Sequence, residues 1–75
     1  VRKNNRLQQA RKENGYTQEQ LAYLLGYRGR QAVANWENGH AIPPLQTAIK
    51  IAEILNREVS FLFGFEVQES HTLSA

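Results

Sequence analysis

Residues 17–39, TQEQLAYLLGYRGRQAVANWENG, constrain this chain more than any other stretch. Thr17 can cap a helix, and Gln20 three residues on completes a capping-box pattern. Leu21, Ala22 and Leu25 form a narrow apolar stripe. Gly26 ends it, because glycine enters the left-handed conformation without steric penalty. A second helix is predicted to begin near Gly29 or Arg30, to bury Val33 and Trp36, and to stop at Asn38-Gly39. Two helices of about two turns each are too short to be stable alone and need flanking helices. What such a pair can do is present one helix outward. The outward positions of the second helix are Arg30, Gln31, Ala34 and Asn35. Arg, Gln and Asn carry donors and acceptors that match base edges in a DNA major groove, and Ala34 suits a thymine methyl.

The flanking sequence supplies the missing helices. Residues 1–5 read as a polar, basic arm. A helix is expected from Asn4 or Asn5 to Asn14, closed by Gly15, with Leu7 and Ala10 inward and Arg11 on the same side. A charged side chain beside an apolar stripe needs a partner if it is buried. Pro43-Pro44 keeps 40–44 a loop, with Ile42 expected to plug the core. A helix from Leu45 to Leu55 should bury Leu45, Ala48, Ile49, Ala52 and Leu55, with Ile51 at the flank. Asn56 can end it in a left-handed turn. Ser60 is the expected cap of a last short helix, Phe61 to Phe63, stopped by Gly64, with Leu62 and Phe63 closing the core. Residues 65–75 have no helical period. They read as a disordered tail or, from the alternation of Phe65, Val67 and Glu69, as a dimer-forming strand. The expected organisation is one DNA-binding domain over 1–64 followed by that tail.

Charge is distributed unevenly. Residues 1–30 hold seven Lys/Arg against two Glu, net +5, and residues 31–75 hold two against five, net −3. A positive half suits a polyanion. Catalytic chemistry is hard to assemble. The chain has no Asp and no Cys, and its two histidines, His40 in a loop and His71 in the tail, form no pair at ligand spacing within a helix. No glycine-rich phosphate loop is present, so neither enzyme activity, a metal nor a cofactor is expected. There is no long apolar run for a membrane span, and the basic start lacks the apolar segment of a secretory leader. The expected compartment is the cytoplasm.

Thr17-Gln18, Leu21-Ala22, Leu25-Gly26, Val33, Trp36-Glu37 and Asn38-Gly39 resemble the helix-turn-helix of the phage repressor/Cro family of DNA-binding domains. Arg11, Pro43-Pro44-Leu45 and Lys50-Ile51-Ala52 extend the resemblance over roughly residues 3–64. It implies an all-α, five-helix lambda-repressor-like domain that binds double-stranded DNA, with the second helix of the pair in the major groove. It implies base contacts from Arg30, Gln31, Ala34 and Asn35. It gives Arg11 a structural ion pair with Glu37, so that Glu37→Ala should lower the melting temperature by several degrees. Gln18 would touch the DNA backbone and brace the recognition helix. Asn38, Gly39 and His40 lie just past that helix, next to a phosphate, and Arg6 and Arg28 are further phosphate candidates. One departure is an extra residue in the turn Tyr27-Arg28-Gly29, with Gly29 where Ser or Thr often caps.

The function that follows is a sequence-specific transcriptional regulator, most simply a prophage- or bacterial-type repressor that binds an inverted-repeat operator as a homodimer. Phe61, Phe63 and Phe65 are the expected dimer surface, and no small-molecule substrate is evident. Two other readings compete. One is an antitoxin that binds its operator and a toxin protein. The other is a helical protein-interaction module that does not bind DNA and leaves Arg30 and Gln31 idle.

Overall fold

The computed structural model describes residues 3–64. Five helices follow one another: α1 (Asn5–Glu13), α2 (Gln18–Leu24), α3 (Gln31–Asn38), α4 (Leu45–Leu55) and α5 (Val59–Phe63). α1 packs on α5 and α3, α2 on α3, and α4 on α5. The core they enclose is Leu7, Ala10, Leu21, Ala22, Val33, Trp36, Ala48, Ile51, Ala52, Leu55, Leu62 and Phe63. This is the all-α, lambda-repressor-like architecture. The readings of 65–75 as tail or strand, and of Phe65 as a dimer contact, lie outside the described residues.

Each helix end has a chemical cause. Thr17 Oγ1 accepts from Gln20 N–H at 3.0 Å, and Gln20 Oε1 accepts from Thr17 N–H at 2.8 Å, a complete capping box. Gly39 and Asn56 take left-handed conformations after α3 and α4 (φ 83° and 56°). Asn4 does more than end an arm. Its Oδ1 caps α1 by accepting from Leu7 N–H, its Nδ2 donates to Leu62 O at 2.8 Å, and its backbone N–H donates to Glu37 O at 2.8 Å. A single side chain and its amide thus join the start of α1 to α5 and to the end of α3. Asn14 joins the other end of α1 to α4 by donating to Leu55 O at 3.2 Å.

Four details depart from the sequence expectation. Ile42 is exposed, and Pro43, one residue on, is the fully buried side chain of that loop. Leu45 and Ile49 are exposed, and Ile51 is fully buried. The inward stripe of α4 is therefore Ala48, Ile51, Ala52 and Leu55, a regular i, i+3, i+4, i+7 set. α5 starts two residues earlier than expected, after Glu58, with no side-chain cap from Ser60. Its start follows directly from the Asn56 turn, where Arg57 N–H bonds Ala52 O and half-buried Val59 reaches the core. Phe63 is buried in the core and cannot serve a dimer surface. Phe61 is 37% exposed and lies between two guanidinium groups, Arg6 at 5.0 Å and Arg57 at 4.7 Å from the ring centroid.

Candidate nucleic-acid interface

α3 is an eight-residue helix with one face inside the protein and the other in solvent. Val33, Trp36 and Glu37 are buried. Gln31 and Asn38 are exposed, Asn35 is half-buried, and Arg30 is exposed at the N-cap position. The helix begins at Gln31 rather than at Gly29, and no side chain caps it. Arg30 O still accepts from Ala34 N–H at 2.9 Å, so Arg30 stands exposed at the helix entrance. Ala34 corrects the expectation of an outward position. It is 6% exposed, on the buried side, and presents little methyl surface to a base.

A hydrogen-bonded chain runs from the core to this surface. Arg11 donates to Glu37 twice, Nε to Oε2 at 2.6 Å and Nη2 to Oε1 at 3.1 Å, and Arg11 Nη1 donates to Tyr16 O at 2.8 Å. Arg11 and Glu37 are 6% and 4% exposed. Gln18 Nε2 donates to the same carboxylate, to Oε1 at 2.9 Å, and Gln18 Oε1 accepts from Arg30 Nη1 at 3.3 Å. The ion pair that fastens α1 to α3 is continuous, through one α2 side chain, with exposed Arg30 at the entrance to α3. Further along α3, Gln31 Nε2 donates to Asn35 Oδ1 at 3.0 Å. Among the described residues no buried side-chain nitrogen or oxygen lacks a hydrogen-bond partner.

The turn between the paired helices is fixed from both sides. Gly26 has φ 91°, and Tyr27 N–H bonds back to Ala22 O at 2.9 Å. The half-buried Tyr27 ring meets Trp36 edge to face, with centroids 5.7 Å apart at 76°. Arg28 and Gly29 are exposed at the turn's tip. Past α3, Gly39 N–H bonds Trp36 O, and His40 and Ala41 N–H groups both bond Asn35 O. Asn38 and His40 are exposed there and Gly39 is half-buried. Arg6 is placed elsewhere. Its guanidinium lies over Phe61 and donates to Phe61 O at 3.4 Å, on the α1–α5 side of the domain.

The helix-turn-helix family profile matches residues 7–62. The chain belongs to the helix-turn-helix family of transcriptional regulators. It is 38% identical over 64 residues to an HTH-type transcriptional regulator of Archaeoglobus fulgidus, covering 85% of this chain and 90% of that protein. A second regulator of that type from the same organism is 34% identical over 64 residues, covering 85% and 89%. The SPbeta prophage-derived HTH-type regulator YonR of Bacillus subtilis is 39% identical over 57 residues, covering 76% of this chain and 52% of YonR. No solved structure matches. The family is one of DNA-binding regulators rather than enzymes, and among the described residues no helix is long and apolar enough to cross a membrane.

Three contributors escaped the sequence reading, two of them within the helix-turn-helix. Tyr27 anchors the turn on Trp36, and its aromatic ring directly after the Gly26 stop was the available signal. The Gln31–Asn35 bond was readable as an i, i+4 amide pair. Asn4 was legible only as a possible helix start, and its bonds to α3 and α5 depend on tertiary placement that no local pattern carries.

Proposed function

We propose that this protein is a sequence-specific double-stranded DNA-binding repressor that occupies an inverted-repeat operator as a homodimer. The observation that carries the reading is the solvent-facing row Arg30, Gln31 and Asn35 on a helix whose other face is buried and ion-paired to α1. A helix held in that way can enter a major groove without rocking. Arg30 suits guanine through O6 and N7, and Gln31 suits adenine through N6 and N7. Asn35, one turn on, meets a further base edge.

Phosphates fall to the residues at the two ends of the motif. Gln18 keeps one amide hydrogen after bonding Glu37 and can give it to a phosphate oxygen while it braces Arg30. Arg28 supplies charge at the turn, and Asn38, Gly39 and His40 supply the approach past α3. These contacts position the domain, and the base contacts choose the sequence. Ala34 has no part in the proposal because it is buried, and Arg6, exposed beside Phe61, is an outlying phosphate candidate. Residues 1–64 act as the DNA-binding domain, at the chromosome in the cytoplasm, and repression follows from occupancy of the operator.

Selection of bound duplexes from a random DNA library, run with wild type and Arg30→Ala in parallel, tests this. An inverted repeat should emerge, and the variant should relax one position per half-site by about 1–3 kcal/mol. Binding that enriches no sequence and depends on salt alone would reject it.

A further inference from the structure

The Gln31 and Asn35 carboxamides sit one turn apart on α3, and Gln31 Nε2 donates to Asn35 Oδ1 at 3.0 Å. We propose that these two residues read the operator as one unit, with Asn35 fixing the orientation in which Gln31 shows its donor and acceptor. The inference rests on the DNA-binding reading above and names how part of its specificity arises.

A carboxamide exchanges its oxygen and nitrogen by a half-turn about its last torsion. An exposed glutamine at a helix start would present either order to the groove. The order matters, since adenine offers an acceptor at N7 beside a donor at N6, and a misordered amide meets donor with donor. The bond to Asn35 commits one Nε2 hydrogen. It leaves Gln31 the oxygen and the second hydrogen, which is the pair adenine requires. The more enclosed end of the unit is Asn35, on backbone held at the exit of α3. It is half-buried, and its backbone carbonyl accepts from His40 N–H at 2.9 Å and Ala41 N–H at 3.3 Å, where the chain leaves α3. Gln31 is exposed in the first turn and has no comparable anchor of its own. Orienting it before DNA arrives removes part of the ordering cost from the binding step.

The same bond sets what Asn35 shows the DNA. Its Oδ1 already accepts from Gln31, so its Nδ2 hydrogens are the free groups. The base it meets should therefore display an acceptor, guanine O6 or N7, adenine N7 or thymine O4, rather than only the N4 donor of cytosine. Asn35 is then both a contact residue at its own base and a positioning residue at the base of Gln31. The alternative is a surface i, i+4 bond that adds slightly to helix stability and nothing to specificity.

The test is selection of bound duplexes with the full chain as wild type, Gln31→Ala, Asn35→Ala and Asn35→Asp, with a thermal melt of each. Gln31→Ala locates the Gln31 base as the position that loses its preference. Asn35→Ala should then lower the adenine preference at that same position by about fivefold or more, besides relaxing its own. Asn35→Asp keeps an acceptor for the Gln31 amide and should retain adenine there, while its own position turns away from guanine and thymine. The double variant Gln31→Ala with Asn35→Ala, selected alongside, should lose no more preference at the Gln31 position than Gln31→Ala alone. Asn35→Ala that changes its own position alone, or only the melting temperature, removes the coupling and leaves the DNA-binding reading intact. A wild-type selection that enriches nothing overturns both.

Discussion

Glu37 sits where two tasks meet. Its carboxylate takes two hydrogen bonds from Arg11 and one from Gln18, so it fastens α1 to α3 and steadies the residue that touches Arg30. Both charges are nearly water-free, and in such a place a charge without its partner costs far more than the intact pair contributes. Glu37→Ala should destabilise the domain by about 3–5 kcal/mol, the usual range for a buried pair broken from one side. For a domain of this size each kcal/mol moves the melting temperature by about 4–8 °C. A fall of more than about 10 °C in a circular dichroism melt is therefore expected, larger than the several degrees read from sequence. The buried, bidentate geometry accounts for the difference. Arg11→Met combined with Glu37→Leu should recover much of the loss, because no charge is then stranded. A single variant that melts like wild type would mean that water reaches Arg11.

Helix ends carry the next set of consequences. Asn4→Ala removes the α1 cap, worth about 1 kcal/mol, and leaves the Leu62 carbonyl without its Asn4 donor. The melting temperature should drop by about 4–8 °C or more, and Asn4→Asp, which still caps but cannot donate, should fall between. Equal melts for Asn4→Asp and Asn4→Ala would place the whole effect on Leu62. The same elements show what the sequence could and could not reveal. The α2 capping box, the Gly26 stop, the Asn56 turn and the limits of α4 rest on bonds within a few residues, and local patterns report those. The buried face of α4 did not follow, because Leu45, Ala48, Ile49, Ile51, Ala52, Ile54 and Leu55 surround most of the helix and two stripes share Ala48, Ala52 and Leu55. Tertiary packing chose between them: Ile51 is fully buried, while Leu45 and Ile49 are left exposed. Ala34 was misplaced for a related reason. A small side chain fits either face of a helix, so periodicity alone could not choose. On the recognition surface, residue types and outward positions were legible at 30, 31 and 35. The Gln18–Arg30 bond was not, since the two residues come from different elements.

At the scale of the whole molecule, size sets the mode of action. A helix of eight residues is about 12 Å long, and it reaches the edges of only a few base pairs at about 3.4 Å each. A single module of this kind buries about 600–1,000 Å², too little to single out one operator among the competing sites of a genome. Two copies on half-sites about one helical turn, or 34 Å, apart double the bases read and keep both recognition helices on one side of the duplex. In the proposed dimer the contact would come from surface other than Phe63, and Phe61 is available only with its flanking Arg6 and Arg57. The consequence is phase dependence. Inserting about five base pairs between the selected half-sites turns the second one to the far side of the duplex. Affinity measured by fluorescence anisotropy at fixed salt should then fall to that of an isolated half-site. The salt must be held constant because the cations of the basic half contribute a sequence-independent attraction that would mask the loss at low ionic strength. If affinity instead survives the insertion, each copy binds on its own. The inverted repeat would then record two independent events rather than one dimer.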